Sequence, residues 1–419
     1  IVLTVILAVP AVILIVFMEK LINVPAGHVL DIKILWASVF MMFFVNLIFS
    51  RYEVAPFAKN RLEITGFINV TSILLKAALL AAAYSLLYPY ISYIGIIVLV
   101  CAVYSAVLKV SFKRRLTPDL QFKKELFDKK TVKNLAKVGV WNSVSQLSQI
   151  LFTGLDLLIA NLFMGTEDMG ILSIAKTLPV MLISFIGVIS GAFAPSMTIS
   201  YSTQSSDEFF SETKFAAKLC GYICSVPIIG IIVFGGSFFS LWLPTLTDGE
   251  ISLVRALCIL TLLPQIFSIY VFPLHQINTI TCRVKVPAVI DCVIGIINIA
   301  VVYFLLRLTD LGLFAIAGVS SVLLLLKTVI FVPIYAAHNI NAKLNVFYPY
   351  LLKGLILNAV VLGICVCVRS CFKINSWHVL IAATVTAAAV SYCAGFFIMF
   401  SKEEKKKVTA VLAKKLKRR

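Results

Sequence analysis

Long apolar runs separated by short polar stretches make up most of the chain. Twelve of them are legible, near residues 1–18, 34–50, 64–84, 91–111, 138–162, 171–195, 216–240, 251–275, 287–306, 312–335, 351–368 and 377–400. A helix needs about 20 apolar residues to cross a bilayer, and these runs approach or meet that length. Membrane-spanning strands would instead show segments of about ten residues with strict alternation. The runs are continuous, so helices are the way to satisfy the backbone in lipid. The expected fold is therefore all-α, a polytopic membrane helical bundle of about twelve helices.

Composition agrees and narrows the class. Hydrophobic residues are 61% of the 419 and charged residues 13%, where an ordinary soluble domain has roughly 45–50% and about 25%. A water-soluble domain, a disordered chain and a disulfide scaffold are excluded. The ten cysteines include no CxxC, and most sit inside apolar runs, as Cys258, Cys292 and Cys393 do; buried there, Cys behaves as a small hydrophobe. The chain opens on Ile1 directly into IVLTVILAVPAVILIVFM, without the basic region and cleavage site of a signal peptide. The expectation is that it begins inside a membrane helix, with a segment upstream.

Charge sets the orientation. There are 37 Lys and Arg against 19 Asp and Glu, a net charge of +18. In a membrane protein this excess reads as positive-inside sorting and attraction to anionic lipids rather than nucleic-acid binding. The loops 51–63, 112–137, 196–218, 276–286 and 336–350 and the tail 401–419 carry 26 basic residues, and the opposite side carries five. The rich side, tail included, is expected to be cytoplasmic. Within 112–137, Leu120, Phe122, Leu126 and Phe127 alternate with lysines, which fits either a helix resting on lipid headgroups or a solvated basic loop.

A shift of 222 residues lays KNRLEITGFINV (59–70) on TCRVKVPAVIDC (281–292), matching Arg61 with Arg283 and Asn69 with Asp291. It also superposes the first four spans on those at 216–335. By that arithmetic two six-helix lobes and two trailing helices make fourteen spans in an intact protein. The expected organisation is an N-terminal lobe, 1–111, lacking its first two helices, and a basic cytoplasmic linker, 112–137. A C-terminal lobe, 138–340, two additional helices, 341–400, and a basic tail, 401–419, follow. Transporters with such repeats place their site at the repeat interface.

No HExxH, GxSxG, GxxxxGK[ST] or GxGxxG is present, and no external loop exceeds about fifteen residues, so an enzyme is not expected. The informative residues are polar ones inside spans. Asn142, Gln146, Gln149, Thr153 and Asp156 recur at steps of four and three, one stripe on one helical face. Lipid does not accept such a stripe. It is either the wall of a hydrated cavity or interhelical hydrogen bonding. The next span repeats the theme with Ser173, Lys176, Thr177, Ser184, Gly187 and Gly191, and has Pro179 one turn past Lys176.

Six ionisable residues lie well within spans: Lys76, Asp156, Lys176, Arg255, Asp291 and Lys327. Each costs roughly 2.5–3.5 kcal/mol at a helix centre. Lys327 is close enough to the cytoplasmic end to snorkel, and Arg255 lies one turn from the external end. Lys76 and Lys176 suit a phosphate-bearing ligand, with Arg255, Gln146 and Gln149 as further substrate contacts. The alternative is a salt bridge to Asp156 or Asp291. Asp291, Gly295 and Asn298 share a face, and with Asp156 they form a candidate Na⁺ or proton-coupling site. Otherwise the two aspartates neutralise the lysines. No cofactor is expected beyond such a coupling ion.

The stretch GVWNSVSQLSQILFTGLDLLIANLFMGTEDMGILSIAKTLPVMLISFIGVISGAFAPSM (139–197) resembles the Wzx-type oligosaccharide flippases of the MOP exporter superfamily. The shared features are a polar helix with an Asp, a small turn at Phe163-Met164-Gly165 and Met169-Gly170, and a helix ending near Pro195. Lys59-Asn60-Arg61 leading into Asn69-Val70 looks like the loop before that family's fifth helix. The resemblance spans the chain in helix order and implies a MATE-like, two-lobed, V-shaped bundle that alternates between inward- and outward-facing states. It implies an undecaprenyl-pyrophosphate-linked oligosaccharide as cargo, used for O-antigen, capsule or exopolysaccharide, in a bacterial cytoplasmic membrane. A polysaccharide polymerase and chain-length machinery are the implied partners. It also implies a pyrophosphate-binding cation at Lys176 and coupling residues at Asp156, Asp291 and Asn298. The competing expectations are a multidrug extrusion antiporter of the same superfamily and, from another class, a membrane enzyme or scaffold of polysaccharide assembly.

Overall fold

The computed structural model describes residues 2–22, 27–53, 55–56, 61–86, 90–117, 140, 143–144, 147–148, 150, 154–202, 206–401 and 404–405, and every regular element among them is helical. In chain order the long helices begin with α1 (Val2–Val16), α2 (Val29–Phe49), α3 (Leu62–Leu86) and α4 (Ser92–Leu116). Next come α5 (Leu155–Met164), α6 (Thr166–Gly191), α7 (Ser206–Trp242) and α8 (Asp248–Leu262). The series closes with α9 (Lys285–Leu308), α10 (Leu313–Leu326), α11 (Tyr348–Cys371) and α12 (Trp377–Met399). Ten described segments are long and apolar enough to cross a membrane, and Leu7–Val16 and Leu155–Met164 are shorter apolar helices. Each apolar run of the sequence holds one of these twelve. The protein is a polytopic helical membrane bundle.

The chain divides into two compact units, Ile1–Asn134 and Leu135–Arg419. In the first, α2 and α3 both pack on α4. Asp31, in the first turn of α2, accepts hydrogen bonds from the backbone N–H groups of Ile91 (2.8 Å) and Ser92 (2.9 Å). It so satisfies donors that the start of α4 leaves open. At the other end Lys113, Arg114 and Arg115 occupy the last turn of α4, where the helix dipole favours cations. The helix thus runs into the segment that the sequence assigned to the linker. The amphipathic stretch Leu120–Phe127 lies outside the described residues.

The second unit holds most of the core. Its spine, α7, is 37 residues long, about 55 Å at 1.5 Å per residue, well beyond the hydrocarbon thickness. The loop expected at 196–218 is therefore corrected. Ala194–Ser202 is a helix and α7 begins at Ser206, because Phe209, Thr213 and Ala216 supply a buried face at helical spacing. Proline shapes two elements. Pro227 inside α7 removes an N–H and leaves the Ile223 carbonyl without its helical donor. The Tyr392 hydroxyl of α12 donates to that carbonyl at 2.9 Å, and the Tyr222 hydroxyl donates back to the Tyr392 carbonyl at 2.8 Å. Pro264 and Pro273 break the run expected at 251–275 into α8, Gln265–Val271 and Leu274–Ile280. The Tyr270 ring then fits where Gly221 of α7 and Gly354 of α11 have no side chains; a Cβ at either would fall 1.9 or 2.4 Å from it. Its hydroxyl is shared between the Gly354 carbonyl (3.0 Å) and Asn358 Oδ1 (3.2 Å). These contacts tie the two trailing helices to the body of the unit.

Candidate functional site in the second unit

Two helical hairpins build the site. Gly165 adopts φ +108°, a conformation open to glycine and costly for other residues. Its N–H bonds back to the Ala160 and Asn161 carbonyls at 3.1 Å, closing α5 and sending α6 back alongside it. Asp156 lies about two turns before this reversal and Lys176 about three turns after it, each roughly 12–15 Å of helix from the turn. That is near mid-depth of a hydrocarbon core about 30 Å thick. A second hairpin joins α9 to α10 through Gly312, φ +54°. It delivers Asn298 from α9 and Ser320 from α10 to the same place.

The Lys176 ammonium pairs with Asp156 Oδ2 and donates a hydrogen bond to it. Ser320 Oγ stands 3.3 and 3.2 Å from the two Asp156 carboxylate oxygens and 3.2 Å from Asn298 Oδ1. Asn298 is buried beside the carboxylate, and its Nδ2 completes no hydrogen bond. The Asp156 side chain is 1% exposed and that of Lys176 13%. Two opposite charges at this depth offset one another, and the hydroxyl strengthens the carboxylate's side of the pair. Removing either partner strands the other in a low-dielectric interior.

Lys176 sits at the edge of a second feature. Ser173, Thr177 and Ser184 lie on the exposed face of α6, while Leu172, Ala175, Pro179 and Leu182 form its buried face. Val180, Met181 and Val188 share that exposed face, and the Thr177 and Ser184 hydroxyls donate to the Ser173 and Val180 carbonyls of their own helix, so the strip of hydroxyls is interleaved with apolar side chains. The remaining expected site residues fall elsewhere. Asp291 is seven residues before Asn298, about 10 Å along α9, and pairs at 2.6 Å with Lys327. The three-residue oxygen cluster expected from Asp156, Asp291 and Asn298 thus holds two of its members. Lys327 does not reach for the interface as expected; it opens the π-turn Lys327–Phe331 and spends its charge on Asp291. Arg255 is half-buried with its stem against Gly236, its Nε without a hydrogen-bond partner, and no ion pair among the described residues. Lys76 is exposed on α3, in the other unit from Lys176. Asn142, Gln146, Gln149 and Thr153 lie outside the described residues. Ser320 was missed by sequence reasoning. Its only signal is the Ser320-Ser321 doublet within LFAIAGVSSVLLLL.

This geometry can be set beside known proteins. No family model matches the chain. It is 29% identical over 396 residues to the uncharacterized membrane protein EpsK of Bacillus subtilis (strain 168), covering 94% of this chain and 77% of that protein. Its structure is similar to the lipid II flippase MurJ in an inward closed conformation, with TM-score 0.63, 13% identity, and 94% of this chain and 80% of that one covered. It is also similar to an inward-facing multidrug resistance MATE family transporter of the MOP superfamily, with TM-score 0.60, 14% identity, and 81% and 79% covered. The chain has the MurJ and MATE fold. A weaker likeness, with TM-score 0.54, 14% identity, and 81% and 76% covered, relates it to a MATE protein in a bent conformation.

Proposed function

We propose that the chain is a flippase for a lipid-linked oligosaccharide, handing a polyprenyl-pyrophosphate-borne glycan from the cytoplasmic to the external leaflet by alternating access. The observation that carries this reading is Lys176, a cation held at mid-membrane on the edge of an exposed polar strip. A fixed ammonium offsets the desolvation of a phosphate and opposes a cationic drug. The fold shared with a lipid II flippase supports the choice of cargo class. Arg255, in the same unit as Lys176, is a further cation for the pyrophosphate. Asp156, with Asn298 beside it, takes part in coupling to Na⁺ or protons. The imbalance of basic residues supports a cytoplasmic tail in a bacterial inner membrane. A polymerase and chain-length machinery would receive the exported unit, and anionic lipids would hold the basic loops.

The test is complementation of bacterial cells lacking their own export flippase, with surface polysaccharide as the readout and equal membrane levels verified. The wild type should restore export, and Lys176→Ala should leave lipid-linked oligosaccharide on the inner leaflet. Normal export by the variant overturns the cationic site. Failure of the wild type across several polysaccharide systems, with drug resistance conferred instead, moves the extrusion reading to the front.

A further inference from the structure

Lys176 occupies a boundary. At 3.6 residues per turn it projects about 80° from the middle of the buried face of α6 and about 80° from the middle of its exposed face. Its four-carbon stem is flexible. Rotation about the side-chain torsions alone exchanges a position against Asp156 for one beside Ser173 and Thr177, which are exposed. The charge has two addresses, and only one is filled by the protein.

Asp156 has no such freedom. The groups that face it are Lys176 from α6, Asn298 from α9 and Ser320 from α10. Among the described residues Lys176 is the only charged or titratable one of these. If the ammonium leaves, a carboxylate that is 1% exposed retains the Ser320 hydroxyl beside an amide whose Nδ2 completes no hydrogen bond, too little to keep an isolated charge in a dry interior. Such a group neutralises itself by taking a proton.

We infer that Lys176 is an exchangeable counter-ion: a pyrophosphate-bearing cargo draws its ammonium off Asp156, and the vacated carboxylate takes a proton from water in its place. This rests on the flippase reading and ties cargo loading to protonation of one carboxylate. Lys176 keeps its own proton throughout, one proton is added to Asp156, and nothing is oxidised or reduced. On cargo release the ammonium returns and the proton is expelled. Anion loading and proton loading are then linked through one side chain, and by reciprocity each strengthens the other.

The linkage makes a prediction that a structural ion pair does not. Asp156 and the cargo compete for Lys176, so Asp156→Asn should tighten anion binding rather than weaken it. The experiment is calorimetry on the full chain in nanodiscs with geranyl pyrophosphate, in neutral buffers of different ionisation heat. Wild type should take up about one more proton per bound probe than Asp156→Asn, and that variant should bind about fivefold or more tighter. Lys176→Met should bind about tenfold or more weaker. Equal proton uptake in wild type and Asp156→Asn, or weaker binding by a folded Asp156→Asn, overturns the exchange. So does binding that requires Na⁺ and takes up no proton. Should Asp156→Asn fail to fold, Ser320→Ala keeps both charges and removes the hydroxyl that stabilises the carboxylate. The pH at which uptake is half complete should then rise, and an unchanged pH profile overturns the proposal. If wild type and Lys176→Met bind alike, the phosphate reading itself has failed, an outcome distinct from binding that depends on Lys176 but shows no proton linkage.

Discussion

The second unit contains two intramembrane Asp–Lys pairs built from the same chemistry in different surroundings. Asp156 and Lys176 join adjacent helices of one hairpin, with the carboxylate 1% exposed and a hydroxyl and an amide from a second hairpin against it. Asp291 and Lys327 join α9 to the π-turn that follows α10, at 2.6 Å, with side chains 21% and 18% exposed. The side chains of the second pair are both partly exposed, whereas the first carboxylate is almost wholly enclosed. An ion pair is thus defined less by its two residues than by what stands ready to replace each of them. That distinction fits the first pair to be a switch and the second to be a fastening.

Breaking both pairs from the basic side should show the largest contrast. Lys176→Ala leaves the Asp156 carboxylate, 1% exposed, without its partner and is expected to cost about 3–5 kcal/mol, whereas Lys327→Ala should cost about 1–2 kcal/mol because the Asp291 carboxylate is 21% exposed. Thermal unfolding in detergent measures both, and equal losses would erase the comparison. The next test removes both charges of the buried pair. Asp156→Asn with Lys176→Met should recover stability to within about 1 kcal/mol of wild type while complementation stays lost, which separates folding from transport. A finer cut is Ser320→Ala, expected to destabilise by about 1 kcal/mol through the lost hydroxyl bond and to leave the Asp291 pair untouched.

The smallest effect is expected outside the membrane. Lys218 of α7 meets Glu404 of the tail at 2.7 Å, and Ser401 and Glu404 bond reciprocally as a capping box opens the tail. Burial raises the Glu404 carboxyl, but the Lys218 hydrogen bond and the Ser401 N–H outweigh it and hold it below the usual range. A lowered folded value means that the stabilisation is complete above the ordinary carboxylate range and is lost as pH falls through the lowered one. Wild type should therefore lose about 1 kcal/mol or less relative to Glu404→Gln on acidification below about pH 4, read from the difference between their unfolding midpoints across pH.

Much of this was legible in residue order because it depends on local chemistry. The Thr247-to-Glu250 spacing marks the start of α8, where the Thr247 hydroxyl and the Glu250 carboxylate cap one another. The turn at Phe163-Met164-Gly165 was legible as the reversal after α5, whereas the breaks at Pro264 and Pro273 were hidden inside the single run expected at 251–275. The extension of α7 below the membrane was hidden because its apolar face is diluted by Ser, Glu and Lys on the others. The choice of partner for each lysine was hidden for a different reason. Lys176 reaches Asp156 only because Gly165 folds two helices together at one level, and Asp291 shares a face with Asn298 but lies about 10 Å along α9 from it, where it meets Lys327 instead.

By itself the sequence determined a multi-span helical membrane protein, since apolar length and composition leave the backbone no other solution in lipid. It also supplied the polar residues that such a protein must account for. The tertiary structure alone decided that Ser320 joins the site, that Asp291 leaves it, and that Asp156 is neutralised by Lys176. Those outcomes depend on which turns bring which helix faces to the same depth, and in a low-dielectric interior a few ångströms of depth decide whether a charge is paired, hydrated or free to move.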